Sequence, residues 1–75
     1  MSALKSFEVA IYNREVRRLL AEGNRHRDLS DAWADIHYID IKAKSEEEAR
    51  AQITRRYPPE QGYVIEDVIS EKFSD

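Results

Sequence analysis

The sequence predicts an α+β fold: a two-layer β-α-β-α-β domain with a three-stranded mixed sheet and two helices on one face. Three observations carry this. The run from Trp33 to Lys44 alternates like a strand, Ser45-Glu46-Glu47-Glu48 opens a helix directly after it, and Gly62 leads into the β-branched run Tyr63–Ile69. A strand that returns to its sheet through a crossover helix comes back parallel to itself. The second and third strands are therefore expected to be parallel, either adjacent or with the first strand between them. Two helices on one side of such a sheet complete two layers and leave the other sheet face uncovered.

Taken in order, Ser6–Tyr12 places Phe7, Val9 and Ile11 on one side of a strand. A helix from Leu4 to Leu20 competes for the same residues, but its apolar positions spread over more than half of the wheel, and β-branched and aromatic density favours the strand. Asn13 can cap a helix over Arg14–Glu22, in which Val16, Leu19 and Leu20 recur at helical spacing, and Gly23 suits its left-handed end. Residues 24–32 have no period and read as an exposed loop. In the second strand His37, Ile39, Ile41 and Ala43 share one face, and Ile36, Tyr38, Asp40 and Lys42 the other. Ser45 and Glu48 have the spacing of a capping box. Ala49, Ile53 and Tyr57 form a narrow stripe on the following helix, Glu46 can pair with Arg50, and Pro58-Pro59 stops it. Residues 73–75 are expected as a tail, and residues 1–5 are expected to fray.

The 75 residues make one domain with one core. The chain has no cysteine, which excludes disulfides, thiolate zinc sites and cysteine nucleophiles, and makes the cytoplasm the expected location. The opening residues have no run suited to a signal peptide, and no stretch is apolar enough to span a bilayer. The net charge of −3 is unevenly spread. Residues 1–27 hold six basic groups against three acidic, and residues 28–75 hold twelve acidic against six basic.

No catalytic, cofactor-binding or metal-binding set emerges. His26 and His37 can be drawn with Asp28, Asp31 or Asp35, but no ligand pair has a spacing that fixes metal geometry. Ser30 with His26 and Asp28 is a coincidence of sequence, because a triad is defined by geometry. Gly23 and Gly62 are the only glycines, so there is no phosphate-binding loop. The expected activity is binding, with no enzyme function, through the uncovered sheet face. Tyr12, Ile36 and Tyr38 face outward there. Val64 with Val68, or Ile65 with Ile69, joins them, since both faces of the last strand are apolar. The contact face is set down as Tyr12, Ile36, Tyr38, Val64 and Val68, for a protein partner or a second copy in a homodimer. The alternative is single-stranded nucleic acid, held by Arg14, Arg17, Arg18, Arg25 and Arg27 with bases stacked on exposed tyrosines. An acidic chain of pI about 5.4 argues against it.

Phe7-Glu8-Val9, Trp33-Ala34-Asp35, Glu47-Glu48-Ala49-Arg50, Arg56-Tyr57-Pro58 and Gly62-Tyr63-Val64-Ile65 together resemble small bacterial proteins of unknown function. That resemblance spans most of the chain and implies no activity. The aromatic-Glu-Val strand and the Glu-rich helix ending in paired arginines are also similar to the small non-catalytic accessory subunit of multicomponent phenylacetyl-CoA oxygenase. This second resemblance implies a role as an accessory subunit of an enzyme complex.

Overall fold

A computed structural model describes residues 4–71. The terminal segments expected to fray or form a tail lie outside the described residues, except for Leu4 and Lys5, and Lys5 opens the first strand. Along the chain, β1 (Lys5–Asn13) runs into α1 (Arg14–Ala21). A 3-10 turn (Asp31–Ala34) precedes β2 (His37–Ala43), α2 (Glu46–Arg56) follows, and a second 3-10 turn (Pro59–Gln61) leads into β3 (Tyr63–Glu71). Residues 6–12 are strand, as their alternation and β-branched content require. The second strand is shorter than the run that announced it. Trp33 and Ala34 belong to the 3-10 turn, whose cap is Ser30, its hydroxyl accepting from Ala32 N–H at 3.2 Å.

The strand order is β2-β1-β3, and β1 is antiparallel to both neighbours. The expectation of a mixed sheet is therefore corrected. β2 and β3 do point the same way, but the first strand lies between them, so every ladder in the described residues is antiparallel. α2 contacts all three strands, whereas the main contacts of α1 are with the first 3-10 turn and with β3. The described fold is long and thin, with extents of 50 × 22 × 14 Å.

The core lies between α2 and the sheet. Phe7, Val9, Ile11, Ile41 and Ala43 meet Ala49 and Ile53 of the helix stripe, all buried. Capping fixes where that helix begins. Ser45 Oγ accepts from Glu48 N–H at 3.2 Å, and Glu48 reaches back to accept from Lys44 N–H at 2.9 Å, one residue before the cap. Arg50 pairs with Glu46 at 3.2 Å.

A second anchor joins three elements at the other end of the sheet. Asn13 is fully buried. Its Oδ1 accepts from Val16 N–H at 3.1 Å, capping α1, and its Nδ2 donates to the Gln61 carbonyl at 3.0 Å. Arg14 N–H donates to the Gly62 carbonyl at 2.8 Å. Gly62 has φ 99°, and a Cβ there would sit 2.8 Å from Asn13 Oδ1 and 2.9 Å from Glu15 Cγ. Left-handed backbone and close approach both demand glycine at this turn.

β3 carries a bulge. Its register with β1 shifts between Ala10 and Ile11: Ala10 faces Asp67, whereas Ile11 faces Ile65, leaving Glu66 as the extra residue. The phase of the strand flips there. Tyr63 and Ile65 point toward α2 before the bulge, and Val68 does so after it. Simple alternation would have turned either Glu66 or Asp67 into the core, and the bulge keeps both exposed.

Candidate functional site

The side of the sheet away from α2 presents rows set by the ladder registers. Tyr12 pairs with Val64, and Ile36, one residue ahead of β2, lies level with them. Tyr38, Ala10 and Asp67 form the next row, and Asp40, Glu8 and Ile69 the row after that. Lys42 pairs with Ser6 beyond, its ammonium donating to the hydroxyl. The large apolar or aromatic side chains left exposed among the described residues are Leu4 at 59%, Ile36 at 39%, Tyr38 at 60% and Ile69 at 41%. All four fall on this face by strand parity.

Of the five residues expected to form the contact face, Tyr12, Ile36, Tyr38 and Val64 are on it. Val68 is not: it packs against the core cluster under α2. Leu4 and Ile69 take part instead. Alternation offered Ile69 only together with Ile65, and the bulge splits that pair; Leu4 stands just ahead of the strand.

The arginines of the alternative surface are distributed among protein contacts. Arg17 lies with its guanidinium carbon 3.8 Å from the centre of the Tyr12 ring, and its Nε donates to the Ala34 carbonyl at 3.0 Å. The Tyr12 face that would stack a base is thereby covered. Arg18 bridges Glu15 at 2.8 Å and Glu22 at 3.2 Å. The hydrogen bond to Glu15, then the charges of Glu15 and Glu22, raise its pKa above the ordinary arginine value. Arg25 faces Asp31 at 3.7 Å. Arg14 and Arg27 are exposed and take part in no ion pair among the described residues.

The two histidines serve separate local structures. His26 Nδ1 accepts from the N–H groups of Asp28 and Leu29 at 3.0 and 3.1 Å, shaping the loop. His37 stacks on Trp33 with ring centres 4.3 Å apart, and its Nε2 lies 2.9 Å from the Ala32 carbonyl. Trp33 also meets Tyr57 and Tyr63 at 5.4 and 5.2 Å, and those tyrosines meet edge-on at 5.1 Å. The rings fill one another's space and seal the end of the core. Burial, followed by the proximity of Tyr57, raises the Tyr63 phenol above its ordinary pKa.

An open groove of about 500 Å³ is lined by Glu15, His26, Asp28, Leu29, Glu60 and Gln61. Among the described residues no group of three or more His, Asp or Glu is placed to hold a metal ion. No described helix is long and apolar enough to cross a membrane. No protein-family model, curated protein or solved structure matches the chain.

Proposed function

We propose that this protein is a small non-catalytic interaction module of the cytoplasm that docks another protein surface on its uncovered sheet face. The observation that carries this is the coincidence of the four exposed large apolar or aromatic residues among the described residues with one side of one sheet. Scattered single apolar residues are normal on a protein surface, whereas apolar residues gathered on one face are the mark of a contact site. Tyr38, on the edge strand β2, is the most exposed of the four, and tyrosine combines a broad apolar ring with a polar tip suited to interface cores. A role as an accessory subunit would use the same surface. Nucleic-acid binding has weaker support, since Arg17, Arg18 and Arg25 are engaged within the chain and Arg17 covers Tyr12.

A photo-crosslinking residue placed at Tyr38, compared with one at the exposed Thr54 of α2, tests the assignment. Protein adducts are expected from position 38 and not from 54, and Ile36→Lys with Ile69→Lys should suppress them while the circular dichroism spectrum is kept. Equal labelling from both positions, or adducts indifferent to those lysines, would refute docking on this face.

A further inference from the structure

The uncovered face is polar in the sense of a magnet along its strands. On one side of the Tyr38–Ala10–Asp67 row lie Ile36, Tyr12 and Val64, with the Arg17 guanidinium resting on Tyr12. On the other side lie Asp40, Glu8 and Ile69. Both outer rows stand two residues from Ala10 along β1, or about 7 Å. One end is cationic and apolar, the other acidic and apolar.

At the acidic end two carboxylates share one row. Glu8 and Asp40 are direct cross-strand partners, an arrangement that like charges disfavour. Neither takes part in an ion pair among the described residues, and Lys42, one row along, donates to Ser6. At the cationic end Arg17 is held in place by Nε alone, with its two terminal nitrogens in no hydrogen bond among the described residues.

Resting on the proposed docking face, we infer that its occupant is a second copy of this chain. The two-fold axis would lie between the facing sheets, crossing the strands over Ala10. Each Arg17 then meets Glu8 and Asp40 of the second copy, Val64 meets Ile69, and the two Tyr38 rings lie together at the axis. A two-fold axis along the strands would set Glu8 against Glu8, so charge selects the crosswise one. The crosswise arrangement leaves one like-charge contact, Asp67 against Asp67, whose Oδ1 already accepts from Val68 N–H at 2.9 Å.

Charge reversal tests this pairing. In light scattering over a concentration series, the wild type is expected at dimer mass. Arg17→Glu and Glu8→Arg should each weaken the dimer about tenfold or more by setting like charges together. Their equimolar mixture should recover dimer mass, because each two-fold contact again joins opposite charges. Arg17 also touches Tyr12 and Ala34, so Asp40→Arg, at a carboxylate in no ion pair among the described residues, serves as a second acidic-end variant. A wild-type monomer at all concentrations, single variants that remain dimeric, or a mixture that stays monomeric would each overturn the inference. A monomer that still gives adducts to a different protein from position 38 would overturn self-association alone. Absence of adducts would remove the docking face itself.

Discussion

Replacing Asn13 by alanine should unfold the junction of β1, α1 and β3 out of proportion to the size of the change. Two interactions are lost: the cap on the Val16 N–H at 3.1 Å and the donation to the Gln61 carbonyl at 3.0 Å. A helix cap contributes about 1 kcal/mol, and a hydrogen bond whose partner is left without water contributes about 1–2 kcal/mol. The expected loss is about 2–3 kcal/mol, a large share of the roughly 4–11 kcal/mol that a chain of this length commonly has. The midpoint of thermal unfolding should fall by roughly 10–20 °C. Asn13→Ser separates the two terms, since its hydroxyl can still cap the helix but is too short to donate to Gln61. It should recover about 1 kcal/mol relative to alanine. Urea titration followed by far-ultraviolet circular dichroism measures both. A cost below about 0.5 kcal/mol for Asn13→Ala, or a serine variant no better than alanine, would refute the view that Asn13 fastens these elements.

The two glycines make an internal comparison. Gly62→Ala meets strained backbone and a side-chain clash and should cost about 2–4 kcal/mol, whereas Gly23→Ala, at φ 80° in open space, should cost only about 1 kcal/mol in the same urea titration. The Tyr63 phenol should titrate above its ordinary value, followed by absorbance of the phenolate. Because its folded pKa is raised above 10.0, its contribution to stability is fully present below that pH and is lost as pH rises through the folded value. Tyr63→Phe should remove the late-titrating group, and a late group that persists would assign the burial to another tyrosine.

Much of the fold was legible because local chemistry and tertiary structure agree. The alternation of Phe7, Val9 and Ile11, the Asn13 cap, the Ser45–Glu48 pair and the Ala49–Ile53 stripe each appear where the residues place them. Strand direction was half legible. A crossover helix dictates that β2 and β3 run alike, but nothing in either strand says that β1 separates them. The phase of the last strand was hidden by Val64-Ile65-Glu66-Asp67-Val68-Ile69, which reads equally well on either face. The adjacent acidic pair was the available signal, since only a bulge keeps both carboxylates in water. Trp33 misled for a different reason. Its bulk and its position before an alternating run suggest a strand, yet Ser30 caps a turn that delivers the indole to Tyr57 and Tyr63. Of the candidate face, four of its five expected residues follow from parity on β1, β2 and the first part of β3. The fifth, Val68, is turned into the core by the bulge, which simple alternation does not show.

The central place of β1 bears on how the chain is made. β1 leaves the ribosome before either neighbour, and Lys5 must wait for Ala43 and Ser6 for Glu71. Until β3 emerges, β1 has one edge open and α2 has only part of the sheet beneath it. Pairings of such long sequence separation are slow to form. The chain therefore reaches its native packing near the end of synthesis of this segment, and the nascent β1 edge is a place where a chaperone would be expected to engage it.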